Sequence, residues 1–207
     1  KANVATLLHQ NSAAANGDIG ITTSLFPNEN CPAPQKACAA APKGEGVQLS
    51  DKFLKKITLY TEVLAVPARR HATDPDVMAG ERLFTEIGCA ACHTPTFMTG
   101  KKAALPLLEN QKIHPFTDLL LHDMGSDLAD NRPDFEATGT EWRTPPLWGI
   151  GLVESVNKHT RFLHDGRARN MEEAILWHGG EGEASKEKYR SLDKKERHQL
   201  LAFLNSL

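Results

Sequence analysis

Gly80-Glu-Arg-Leu-Phe-Thr-Glu-Ile-Gly-Cys-Ala-Ala-Cys-His93 decides how this chain folds. Its last five residues, Cys89-Ala-Ala-Cys92-His93, set two thiols three positions apart with an imidazole directly after them. That spacing is the one used to attach c-type haem. One turn lets both sulfurs form thioethers with the vinyl carbons, and the chain direction then brings His93 beneath the iron. Two other chemistries use paired cysteines. A thioredoxin-like CxxC sits at the end of a strand in a βαβ setting, and no such pattern flanks this one. A zinc site needs two more ligands at partner spacing, whereas Cys31 and Cys38 lie far upstream in a loop of the wrong type.

The flanking sequence agrees with haem. Upstream, Asp74-Pro75 is a cap followed by a first-turn proline, and the helix it opens runs to about Ile87 before Gly88. Gly80 and Phe84 share one face of that helix at i, i+4. At the far end, Asp193 with Glu196 three residues on forms a capping box. The helix it starts presents Leu200, Leu201, Phe203, Leu204 and Leu207 for burial. A small cytochrome needs two such helices to cross and wall in the porphyrin. The expected fold is therefore mostly α, a class I cytochrome c-like haem domain over residues 71–207.

Residues 1–70 are expected to be a loop-rich extension carrying one helix. Glycines and prolines from Gly17 to Gly46 interrupt every candidate run. The helix follows Ser50, with Phe53, Leu54, Ile57, Tyr60, Val63 and Leu64 recurring at three and four until Pro67. Cys31 and Cys38 lie in a stretch too irregular to hold itself by packing. They read as a disulfide made in an oxidising compartment, two free thiols being the alternative. Asp118 to Leu121 reads as a short helix ending near Gly125.

With 24 basic and 26 acidic residues, the 207-residue chain has a net charge of −2 and lacks the basic excess of a nucleic-acid binder. An apolar content of 40% suffices for a core, and no window reaches the length of a membrane span. Residues 123–136 carry five acidic side chains against one arginine, while 185–197 carry six basic against three acidic. Such runs are either solvated faces or docking sites for a charged redox partner. The opening Lys1-Ala-Asn-Val-Ala-Thr6 has no export-signal pattern, so a signal is expected to have been removed, or the chain to be an internal fragment.

Several stretches together resemble the carboxy-terminal haem domain of the di-haem oxidoreductase family, which is related to bacterial di-haem cytochrome c peroxidases. They are Gly17 to Phe26, Leu64-Ala-Val-Pro-Ala-Arg-Arg70, Thr117-Asp-Leu-Leu-Leu-His-Asp-Met-Gly125, Arg143-Thr-Pro-Pro-Leu-Trp148, Phe162-Leu-His-Asp-Gly-Arg167 and Glu172-Glu-Ala-Ile-Leu-Trp-His-Gly-Gly180. The resemblance implies a periplasmic oxidoreductase. It also implies that His178 occupies the slot in which the related peroxidases carry a distal methionine. The calcium site of those peroxidases is not carried over, because His159 and Arg161 stand at the corresponding positions.

Local chemistry supports His178 independently. Asn170 can cap its helix with Glu173 three later, Gly179-Gly180 ends it, and Met171, Ala174, Ile175 and His178 form one stripe that suits a flat ring. Met124 is the alternative sixth ligand, and an open iron is a third possibility. Arg143 is the candidate for pairing with a haem propionate, ahead of Arg167 and Arg169. Trp148 and Trp177 are candidates for the haem edge or for core packing, and His164-Asp165 for a structural role.

One covalent haem c is expected, from the single CxxCH. The expected function is one-electron transfer through a His93/His178 haem, with a redox protein or a second haem domain as partner. A peroxidase-like enzyme whose distal ligand dissociates is the alternative, and a haem- or thiol-based sensor a third class.

Overall fold

The computed structural model describes residues 1–101, 103 and 105–207. It is helix-rich and divides into two compact units, Asn3–Ala65 and Lys1–Ala2 with Val66–Leu207. In the first, α1 (Leu7–Ile19) packs on α3 (Asp51–Glu62), with a short α2 (Lys36–Ala40) between them in sequence.

Helix α1 is additional to the one helix expected within residues 1–70. Thr6 caps it by accepting from His9 N, and Gly20 closes it in the left-handed conformation at φ +70°. Periodicity could not reveal it, because its buried face is small and polar. Ser12 returns its hydroxyl to Leu8 O at 2.7 Å, and Asn16 donates to Asn28 O at 2.9 Å. Helix α3 begins at its Ser50 cap as expected but stops at Glu62, well before Pro67. Only Leu54 and Thr58 of it are buried, and Phe53, Tyr60, Val63 and Leu64 of the expected apolar stripe are exposed. Cys31 and Cys38 form a disulfide.

The second unit is built on α4 (Pro75–Glu86) and α8 (Lys194–Ser206), joined through α5 (Val153–Asn157), α6 (Met171–Leu176) and α7 (Glu183–Ser191). Asp74 caps α4 by accepting from Asp76 N and Val77 N. Asp193 and Glu196 complete their capping box on α8. The two helices cross at Gly80, where a Cβ would stand 1.9 Å from Gln199 O and 2.8 Å from Phe203 Cβ. Only glycine permits so close an approach. Below the crossing Phe84, Phe116 and Phe203 pack in a mutually inclined trio, with ring centroids 5.2–6.0 Å apart. Val77, Ile87, Leu147, Tyr189, Leu200, Leu204 and Leu207 complete the core. Of the apolar residues expected to be buried on α8, Leu201 alone remains partly exposed.

Strand structure is slight. Strand β1 (Phe97–Met98) pairs antiparallel with β2 (Lys112–Ile113), and β3 (Leu121–Asp123) with β4 (Glu141–Arg143). The helix expected at Asp118–Leu121 is absent. Phe116 and Leu119 adopt positive φ, +53° and +62°, while Thr117 Oγ1 and Asp118 Oδ1 accept from Leu119 N and Leu120 N. These side-chain turns compete with helical bonding and deliver the chain to β3 instead.

Candidate haem site

The site begins where α4 ends. Gly88 takes φ +95°, which reverses the chain into a single 3₁₀ turn over Cys89–Ala91. His93 N then bonds Cys89 O at 2.9 Å, closing the motif on itself. Both cysteines carry free thiols and are partly buried. Burial pushes the Cys89 thiol up to about 11, and the Cys92 thiol is raised for the same leading reason. Thiols so placed are poor thiolate nucleophiles, which argues against a disulfide-exchange role.

His93 donates its Nδ1 hydrogen to Phe116 O at 3.0 Å, and its ring lies 6.2 Å from that of Phe84. Burial holds it down to about 4, outweighing the raising influence of that carbonyl. It is therefore neutral near pH 7, with Nε2 left as a lone-pair donor, the state in which imidazole binds a metal. Phe116 is a bulky residue with positive φ, a conformation that persists only where the surroundings enforce it. Here the ring is buried, Thr117 N bonds Thr94 O at 3.1 Å, and Leu147 N bonds Pro115 O at 2.9 Å.

His178 mirrors this arrangement. Asn170 Oδ1 accepts from Glu173 N at 2.8 Å to start α6, and His178 lies just past its end. The ring donates from Nδ1 to Ala174 O at 2.8 Å, again leaving Nε2. Burial again lowers its proton affinity. The charge of His178 would also disfavour protonation of His93. A Cβ at Gly182 would meet His178 Cβ at 3.2 Å, His178 Cδ2 at 3.3 Å and Met124 Cε at 3.2 Å. Both candidate sixth ligands thus border one glycine.

These observations test whether the residues fit a c-type haem, and they do. Two desolvated neutral imidazoles each hold Nδ1 on a backbone carbonyl, and two thiols stand at CxxCH spacing between α4 and His93.

Other expected residues are distributed less closely. Arg143 ends β4 and donates from Nη1 to Thr144 O at 3.4 Å, with no ion pair among the described residues. Its rivals are engaged elsewhere. Arg167 pairs with Asp165 at 2.7 Å, bonds Asp127 O and lies 4.9 Å over the Trp177 ring, while Arg169 pairs with Glu173 at 2.8 Å. Trp148 is exposed. His164 lies 3.9 Å from Asp165 but stacks on Trp142 with centroids 3.6 Å apart, so it forms no tight acid–base dyad.

The sequence alone marks His122 for no role, yet the fold places it beside the motif. Its Nε2 lies 2.8 Å from Asp118 Oδ2, its Nδ1 lies 2.8 Å from Glu181 Oε2, and Cys92 Sγ is 3.7 Å away. Donor atoms of Cys92, Asp118 and His122 fall within 4.8 Å of one another. Both ring nitrogens of His122 face carboxylates, however, so the ring acts as a donor there and offers no lone pair to a cation.

No helix among the described residues is long and apolar enough to cross a membrane. No curated protein and no solved structure matches the chain. One family model does, along residues 1–207, under the description "di-haem oxidoreductase, putative peroxidase". The family's name calls for haem redox chemistry, the two tethered imidazoles and the CxxCH turn are suited to it, and the chain belongs to the di-haem oxidoreductase family.

Proposed function

We propose that this chain is a periplasmic c-type cytochrome domain, the electron-relay half of a di-haem oxidoreductase. In this reading Cys89 and Cys92 hold one haem covalently and His93 and His178 ligate its iron. When bound, the haem supplies a one-electron Fe(III)/Fe(II) couple. The chain's own residues orient both imidazoles through Phe116 O and Ala174 O, keep them neutral by burial, and shield the site with the Phe84–Phe116–Phe203 trio. Arg143, uncommitted to any carboxylate among the described residues, is the residue to meet a propionate.

The observation that carries the reading is the matched pair of Nδ1–carbonyl bonds, which orients two imidazoles and leaves Nε2 on each as a ligand. The crossing of α4 and α8 at Gly80, directly before the motif, supports a class I cytochrome c-like architecture for residues 71–207, with 1–70 as its extension. The partner is a redox protein or a second haem domain, and the acidic run 123–136 offers it a charged face.

An absorption spectrum with the intact mass tests this. One haem of added mass and a low-spin ferric spectrum without the thioether-to-iron band are expected. That band would assign Met124 in place of His178. His178→Ala should give a high-spin spectrum, and His178→Met should raise the midpoint potential, since thioether favours ferrous iron more than imidazole does.

The second reading is a peroxidase-like enzyme in which His178 leaves. The family description and the glycines at 179, 180 and 182 favour it. A fast change in the haem spectrum on stopped-flow mixing with hydrogen peroxide would support it over the relay.

A further inference from the structure

The cluster around His122 belongs to neither ligand, yet it connects the segments that carry both. Phe116, the acceptor for His93 Nδ1, is followed two residues later by Asp118, which holds His122 Nε2 at 2.8 Å. From the other side of the ring, Nδ1 reaches Glu181 Oε2 at 2.8 Å, and Glu181 Oε1 accepts from Asp123 N at 2.9 Å. Glu181 stands three residues after His178. Carboxylate, imidazole and carboxylate therefore form a band from the proximal segment to the loop that follows the distal histidine.

The backbone beneath the band is closely seated. A Cβ at Gly180, whose φ is +53°, would stand 2.2 Å from Asp123 O and 2.8 Å from Gly125 N. One at Gly179 would stand 2.9 Å from Met124 O. The 179–182 loop thus fits against residues 123–125 without side chains between them. Its glycines also leave it little intrinsic rigidity. Among the described residues, Glu181 supplies the side-chain bonds that fasten it to β3, and at 54% exposure Glu181 is open to solvent, while His122 and Asp118 are largely covered at 15% and 13%.

We propose that His122 is a positioning residue, the buckle through which Asp118 and Glu181 set the distal loop and so govern how readily His178 leaves the iron. The inference rests on His93 and His178 being the two ligands. An exposed pair contributes little to global stability. Opening the buckle is therefore a local event, in which the glycine loop moves while the α4–α8 core stays intact.

The test measures cyanide binding to the ferric, haem-loaded protein, a rate governed by departure of the sixth ligand. His122→Ala and Glu181→Ala should each accelerate it at least tenfold while leaving the resting spectrum low-spin. The double variant should be no faster than the quicker single variant, because the two residues act as one unit. Glu181→Gln keeps an acceptor oxygen for His122 and Asp123 N and should fall between wild type and Glu181→Ala, which serves should His122→Ala fail to fold. Asp193→Ala, which removes the α8 cap, should lower thermal stability without changing the cyanide rate. Rates within twofold of wild type in the buckle variants, or fully additive effects, overturn the proposal. His178→Ala separates the premises. If it leaves the ferric spectrum low-spin, the ligand assignment is wrong. If it opens the iron while the buckle variants change nothing, only the positioning role fails.

Discussion

Replacing Gly80 by alanine asks whether the α4–α8 crossing holds the site. At an exposed helix interior the change would stabilise by about 1 kcal/mol through helix propensity. Gly80 is buried, and its added Cβ would lie 1.9 Å from Gln199 O, 2.6 Å from Gln199 C and 2.8 Å from Phe203 Cβ. Ordinary contact begins near 3.4 Å, so the shortfall to the carbonyl is about 1.5 Å. Two of the obstructing atoms are backbone, so no rotamer change relieves them and the helices must separate. Separation loosens Phe84 and Leu200 against Phe203, an overpacking cost of about 1–3 kcal/mol or somewhat more. The net expectation is destabilisation by about 2 kcal/mol, a fall in Tm of about 4–8 °C for a chain of this size. Calorimetry of the haem-loaded protein measures it. The sign decides: a Tm equal to or above wild type, with the absorption spectrum unchanged, would refute the close crossing.

Cys31→Ser should destabilise the 3–65 unit by about 2–3 kcal/mol, the chain-entropy value for a bridge spanning seven residues. Denaturant unfolding should show this with no change in the haem spectrum. Thr117→Val removes a buried hydroxyl that donates to Thr144 O at 2.6 Å and accepts from Leu119 N, and should cost about 1–3 kcal/mol by thermal melting. The His122 cluster predicts that the 179–182 segment is held most firmly between two pH limits. Glu181 first, then Asp118, raises the histidine above 6.5, so its contribution is complete below 6.5 and is lost as pH rises through the folded value. Glu181 is lowered chiefly by the hydrogen bond from His122. Asp118 is lowered although burial opposes it, through bonds from Leu120 and His122. Their contribution is lost as pH falls through those depressed values. Amide hydrogen exchange at Asp123 N and residues 179–182, corrected for its intrinsic pH dependence, should show both limbs, and His122→Gln should remove the alkaline one.

What the sequence made legible was whatever local chemistry controls. Asp74-Pro75, Asp193 with Glu196, and Asn170 with Glu173 each announce a helix start within a few residues, and each cap bond forms. Helix α1 was not legible, because Ser12, Ala15 and Asn16 satisfy their burial by hydrogen bonds and small size rather than by an apolar stripe. Leu119-Leu120-Leu121 looked helical because periodicity ignores Thr117 and Asp118, whose side chains take the backbone amides a helix would use. His122 was unreadable for a different reason. Its partner Glu181 lies 59 residues away, and only the folded loop brings the carboxylate to the ring.

The two histidine tethers differ in a way that bears on which ligand can move. His93 is fastened to Phe116 O, a group held by a buried aromatic trio, by Thr117 N on Thr94 O, and by a backbone conformation that the surroundings must enforce. It also follows two cysteines that, once joined to the cofactor, fix its place covalently. His178 is fastened to Ala174 O, a carbonyl of its own six-residue helix, so that bond orients the ring without anchoring the helix to anything else. Beyond it come Gly179, Gly180 and Gly182, and only there does Glu181 reach across to His122. Under the proposed ligation, strain and covalency both act on the proximal side and neither acts on the distal side. If either imidazole is released in turnover it is His178, and the buckle at His122 is then what separates a sealed electron carrier from an iron open to an outside ligand.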